Sequence, residues 1–199
     1  TRAESSRILN AIYMNKQIIL ASRSPWRKRL MKKHGIPCRI HVSDFEEIFE
    51  GKTPRATVLH NAVGKADIVA KHYEGKNYIV IGVDTVGVIK NVILGKAKNR
   101  SGAKKMLIKL SGKAHKVISG LCVINALNGK RIKTVVTTKV VFRKIGSAEL
   151  EKYLDSGQWK GKAGSYAVQG RAKGFVEKID GDITNVVGIP IETLKTILG

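Results

Sequence analysis

The stretch YIVIGVDTVGVIKNVIL, residues 78–94, decides how this chain folds. Its first six residues are continuously apolar, the pattern of a short strand covered on both faces. Asp84 and Thr85 interrupt the run, so the strand is expected to end just before Asp84. VGVI and VIL then flank Lys90-Asn91, which predicts a hairpin. Upstream, residues 17–21 (QIILA) read as a strand. Ser24 and Pro25 open a helix as N-cap and first helical residue, and Gly35 ends it. Residues 38–43 (CRIHVS) read as a second strand. Thr53-Pro54 repeats the cap-and-proline start, and Leu59, Ala62, Val63, Ala66, Val69, Ala70 and Tyr73 keep the three-four spacing of a buried helical face.

Downstream, a helix over residues 99–110 turns Ala103, Met106, Leu107 and Leu110 inward and stops at Ser111-Gly112. Strands near residues 117–126 and 132–142 are joined at Asn128-Gly129, a strong turn signal. Ser147 is expected to cap a short helix to Leu154, residues 175–179 to form a strand, and a last helix to follow Pro190. Alternation first and antiparallel strands later predict an α+β unit, a mixed sheet with flanking helices. Linkers, repeats and low-complexity segments are absent. Residues 1–13 are expected to be an N-terminal extension, and residues 14–199 a single domain.

Apolar runs here are too short for a membrane-spanning helix, and the first thirteen residues lack the apolar core of a signal peptide. The two cysteines, Cys38 and Cys122, form no CxxC pair, which points to a reducing, cytoplasmic setting. The five histidines show no metal-ligand spacing. Charge is less ordinary: 37 Lys and Arg against 15 Asp and Glu give +22. Such a field draws polyanions, whether nucleic acid, anionic membrane or a phosphorylated metabolite, and equally serves solubility. Residues 96–116 hold eight basic side chains and no acidic one, the electrostatic footprint of a nucleic-acid-binding module. They lack the interleaved aromatics that would stack on bases.

Three places can carry chemistry. The first helix offers unpaired N–H groups and a positive dipole end, with Ser22, Ser24, Arg27 and Arg29 beside them, which favours a phosphate. The alternative is an exposed basic helix start with Trp26 and Leu30 packed on the core. Asp84 follows an apolar strand, where it can hold a metal ion, act as a base or simply occupy a turn. Lys65 lies on the flank of its helix's apolar face, able to snorkel or to reach a phosphate, and Lys96 offers a second lysine on a loop.

Taken in order, these motifs resemble the Maf family of nucleotide pyrophosphatases. The match comprises LASxSPxR at residues 20–27, SDFEE at 43–47, Lys65-Ala66, IGVDTV at 81–86, LGK at 94–96, KAGSYAVQG at 162–170 and VVGIP at 186–190. The resemblance implies a two-lobed fold with a central cleft, similar to inosine triphosphate pyrophosphatases. It implies hydrolysis of a nucleoside triphosphate to the monophosphate and pyrophosphate with a divalent cation, Mg²⁺ or Mn²⁺. Asp84 would accept the proton, Glu46 and Asp84 would lie at the metal, and Ser22, Arg27, Lys65 and Lys96 would surround the phosphates. A homodimer is in keeping with the family, and nucleic acid is not expected as a partner. For the base, the branch acting on dTTP and UTP has Thr and Gln at the positions of Thr85 and Gln169, with Arg at that of Trp26. Tryptophan there resembles the branch acting on 7-methyl-GTP. Ala97 departs from the proline usual after GK.

Overall fold

A computed structural model describes residues 17–49 and 53–199, and within them six α-helices and one 3-10 helix surround a seven-stranded mixed sheet. In chain order the elements are β1 (Gln17–Leu20), α1 (Pro25–Lys33), β2 (Arg39–Ile40), α2 (Pro54–Lys71), β3 (Tyr78–Ile89), β4 (Val92–Leu94) and α3 (Arg100–Leu110). There follow β5 (Ala114–Asn125), β6 (Arg131–Phe142), α4 (Ser147–Asp155), the 3-10 helix (Arg171–Phe175), β7 (Val176–Asp180), α5 (Ile183–Val187) and α6 (Ile191–Leu198). The expected extension over residues 1–13 lies outside the described residues.

Strand order is β2-β1-β3-β5-β6-β7, with β4 paired to the far half of β3. β1 is parallel to β2 and β3, and the remaining pairs are antiparallel. Hence β3 is the seam between the two kinds of pairing. Along one edge it bonds β1 through Tyr78, Ile79, Val80 and Ile81, and β4 through Gly87, Val88 and Ile89. Between these partners that edge is open. Contrary to the sequence expectation, the strand does not end before Asp84. It runs on through it, because β5 pairs continuously along the other edge and supplies the ladder that Asp84 and Thr85 need.

Two helical lobes sit on one face of the long strands. Near one end, Ile18, Leu20, Ile81, Val83 and Leu121 pack with Met31 of α1 and with Ile191 and Leu194 of α6. At the other, Val117, Val140 and Phe142 pack with Leu107 and Leu110 of α3, Leu150 and Leu154 of α4, and Phe175. The opposite face takes α2, whose Ala62, Ala66 and Val69 meet Ile19, Val80 and Cys122. That contact is close because Gly82 and Gly120 lie beneath the helix. A Cβ at either would stand 2.1 Å from the Ala62 carbonyl oxygen or 2.2 Å from that of Val58.

Both proline-led helices start where expected, with Ser24 and Thr53 accepting from the amides of Arg27 and Ala56. The Lys90-Asn91 hairpin forms with both residues at positive φ, 48° and 62°. Three details differ. Gly146, not Ser147, precedes α4, and no side chain caps that helix. The short helix α5 fills the turn after Gly181, where no strong periodicity marks its five residues. The second strand shrinks to two residues, because the chain beyond it finds side-chain partners in place of a ladder. Phe45 N donates to Ser43 Oγ, and both backbone groups of Ile48 bond to Asn61.

Candidate active site

A cleft of about 640 Å³ opens between the two lobes and reaches round the open edge of β3. That volume suits a small-molecule ligand. Its first wall is the start of α1. Ser22 Oγ accepts from Ser24 N (3.2 Å) and from Arg27 Nη1 (3.0 Å). Arg27 then fans across the floor: Nε donates to Gly188 O (2.7 Å), Nη1 also to Val83 O (3.1 Å), and Nη2 to Thr85 Oγ1 (3.2 Å). Burial lowers the Arg27 pKa from its ordinary value, while the charges of Asp84 and Glu47 act the other way. Thr85 spends its one hydroxyl proton on Gly188 O (3.1 Å), so Ser119 is the donor in their 2.7 Å contact. Arg27 and Thr85 thus stitch α1, β3, β5 and the loop after α5 together at the floor, leaving few donors for a ligand.

The second wall comes from α2 and the segment before it. Lys65 is only 8% exposed, and its Nζ lies 3.0 Å from Asp84 Oδ1 and 2.6 Å from Glu47 Oε1. Asp84 is 5% exposed, and its second oxygen accepts from Asn61 Nδ2 (3.0 Å). Glu47 and Lys65 form the cleft wall here, with Asp84 directly behind, in contact with Lys65. The carboxylate expected from the SDFEE motif was Glu46. In the structure Glu46 is exposed, and its neighbour Glu47 turns to Lys65. The reason is local. This segment is irregular, so side-chain direction follows the Ser43 and Asn61 hydrogen bonds and not the alternation of a strand.

Loops of the other lobe make the third wall. Lys96 is exposed and forms a backbone bridge with Ala163, and Gly164 N donates to Gly95 O (3.1 Å). Lys162, Tyr166 and the exposed Gln169 also line the cleft. Behind them Ser165 holds a φ of 61°, its carbonyl accepting from Tyr153 Oη (3.1 Å). His115 Nε2 and Tyr166 Oη lie 2.6 Å apart, and burial lowers the His115 pKa from 6.5 to about 4. Trp26 is half-buried at the cleft, not packed in the core, and the Arg29 guanidinium lies 4.8 Å from its ring centroid.

The structure therefore gathers Ser22, Trp26, Arg27, Lys65, Thr85, Lys96 and Gln169 at one cleft, with Asp84 just behind its wall and Glu46 turned outward. Sequence reading passed over Glu47, Arg23, Lys162 and Asn61. Asn61 left a usable signal: a polar residue one helical turn before Lys65, on the same flank of the apolar face. The basic stretch at residues 96–116 is partly neutralised, since Arg100 pairs with Glu151 and Asp155, and Lys104 with Glu151.

Residues 17–199 match the family model described as Maf-like protein. The chain belongs to the Maf family. Among curated Maf relatives, the dTTP/UTP pyrophosphatase of Alkaliphilus metalliredigens is 42% identical over 92% of this chain and 94% of its own length. That of Pyrococcus abyssi is 41% identical over 91% and 94%. A solved HAM1 protein from Coxiella burnetii superposes with a TM-score of 0.51 at 14% identity, covering 92% of this Maf chain and 98% of its own, a likeness of fold. Among the described residues of the Maf chain, no helix is long and apolar enough to cross a membrane.

Proposed function

We propose that this protein hydrolyses a nucleoside triphosphate to the monophosphate and pyrophosphate, acting on dTTP and UTP as its Maf relatives' names state of them. One observation carries the site: a buried lysine bridging two carboxylates, Asp84 and Glu47, in a cleft whose lining also includes Arg23, Lys96 and Lys162. In the proposed reaction, water attacks the α-phosphorus, the α–β P–O bond breaks, and pyrophosphate leaves. Asp84 takes the proton of that water. Lys65 lies where it can meet the charge developing on the leaving group, and Lys96, Lys162 and Arg23 line the cleft, where they can hold the substrate's phosphates. Ser22 and the Trp26 amide in the first turn of α1 add donors for phosphate oxygens.

Asp84 and Glu47 also fit a hard divalent cation, Mg²⁺ or Mn²⁺, as two oxygen donors beside a phosphate cleft. Among the described residues no three potential His, Cys, Asp or Glu ligands converge, so phosphate oxygens and water would complete the shell. When bound, the cation neutralises phosphate charge. Thr85 acts on base choice by fixing the floor, and Gln169 and Trp26 by facing the base. Under this reading the protein works in the cytoplasm, where nucleotide pools are used, and as a homodimer, which light scattering checks.

The test is a panel of nucleoside triphosphates with Mg²⁺ or Mn²⁺, scoring monophosphate and pyrophosphate. The expected result is turnover of dTTP and UTP, reduced on the order of 1000-fold by Asp84→Asn with an unchanged circular-dichroism spectrum. Release of orthophosphate as the first product would overturn the reaction, and preference for 7-methyl-GTP would overturn the base assignment.

A further inference from the structure

Asn61 makes three hydrogen bonds beside the cleft and takes no part in the reaction described above. It is fully buried on α2, at the position one turn before Lys65. Its amide makes three hydrogen bonds. Oδ1 accepts from Ile48 N (3.0 Å), and Nδ2 donates both to Ile48 O (2.9 Å) and to Asp84 Oδ2 (3.0 Å). A buried amide on an apolar helical face is costly unless it is satisfied in this way.

The geometry has two consequences. Asp84 is gripped from both sides by one helix, with Lys65 on Oδ1 and Asn61 on Oδ2, so its carboxylate plane cannot rotate without breaking a buried bond. The segment carrying Glu47 has no ladder to hold it. Its backbone at Ile48, the residue after Glu47, is closed against Asn61 in a two-bond ring. One amide therefore fixes the orientation of Asp84 and the approach of Glu47 at once.

We infer that Asn61 is a positioning residue that sets Asp84 and the Glu47 segment in register with one another, so that both carboxylates address the same phosphate. The inference rests on the pyrophosphatase reading above and names a residue which that reading does not need. Hydrogen bonds to Asp84 hold a reacting group to within a fraction of an ångström, and a displacement of about 1 Å costs on the order of 100-fold in rate.

The experiment compares wild type, Asn61→Leu and Asn61→Ser in pyrophosphate release from dTTP with Mg²⁺, with melting temperatures measured alongside. Leu keeps the volume and removes all three bonds; Ser is small enough to enter the site if Leu does not fold. The expected result is a fall in kcat on the order of 100-fold with KM changed by less than about 3-fold, since the cations on the far wall are untouched. The same substitution placed in Asp84→Asn is expected to cost about 10-fold or less further, well below its effect in wild type, because one of the two carboxylates it positions is already gone. Three outcomes overturn the inference: unchanged kcat in a folded variant, a loss confined to KM, or full additivity with Asp84→Asn. Absence of turnover by wild type on any nucleoside triphosphate would instead sink the underlying reading, a result distinct from all three.

Discussion

The two sides of the cleft are built on different principles. On the α2 side, Asp84, Asn61 and Lys65 are buried, Asn61 and Lys65 both bond Asp84, and Glu47 is joined through Lys65. On the loop side, Lys96 and Gln169 are exposed, and it is the backbone behind them that is pinned. A side chain already satisfied by its neighbours arrives pre-oriented and loses little entropy when the substrate binds. An exposed lysine does the reverse: it finds the phosphate by charge and orders late. The contrast teaches that fixed geometry is concentrated where bonds change, and adaptable charge where the substrate is gathered.

After Asp84→Asn, the most damaging change on the α2 side is Lys65→Met. It leaves Asp84 and Glu47 facing one another without their shared cation, so kcat/KM is expected to fall on the order of 100-fold or more. Stability is expected to drop by about 3 kcal/mol, as when one partner of a buried ion pair is removed, read by urea unfolding. If the protein kept its stability, the bridge would be a surface pair in solution.

A second prediction sharpens the loop side, whose rim is exposed but whose anchor is buried. His115 is 3% exposed, contacts Tyr166, and has its pKa lowered from 6.5 to about 4 by burial. Below pH 6.5 the unfolded chain binds a proton that the folded one refuses, so stability falls between pH 6.5 and about 4. The loss from this group amounts to about 3 kcal/mol at the acid end. His115→Gln, which cannot take the proton, is expected to flatten that part of the melting-temperature profile, and an unchanged slope would place the titration elsewhere.

Lys96→Ala tests the adaptable charge. KM for dTTP is expected to rise about 10-fold with kcat within about 2-fold, because an exposed cation contributes mostly to uniform binding. A fall confined to kcat would put Lys96 with the fixed group. The smallest effect belongs to Trp26→Arg, expected to improve kcat/KM for dTTP or UTP by about 3-fold if this residue faces the base, at roughly 1 kcal/mol or less. No change in base preference would leave Trp26 as a packing surface for Arg29.

Much of this is legible in the sequence. Proline-led helix starts, glycine stops and the Lys90-Asn91 hairpin are local conformational rules, and the chain obeys them at residues 24–25, 53–54 and 90–91. Lys65 is legible on the flank of its helix, because helical angle follows from spacing alone. Other features were not legible, since they depend on partners distant in sequence. Asp84 read as the end of a strand because nothing nearby announces that β5 will carry the ladder past it. Glu46 and Glu47 are adjacent and chemically alike, and only the bond from Ile48 to Asn61, 13 residues apart, is associated with which of them turns to Lys65.

Sequence by itself determined the order and type of most elements, the α+β class and the family, because these rest on local propensity, periodicity and ordered motifs. Tertiary structure alone decided that β3 has an open edge between β1 and β4, and that Arg27 and Thr85 are committed to the cleft floor. It also decided that Asn61 holds Asp84 in place. Each of those facts is a hydrogen bond or a missing neighbour between residues far apart in the chain, and the energy that selects it exists only once the sheet has formed.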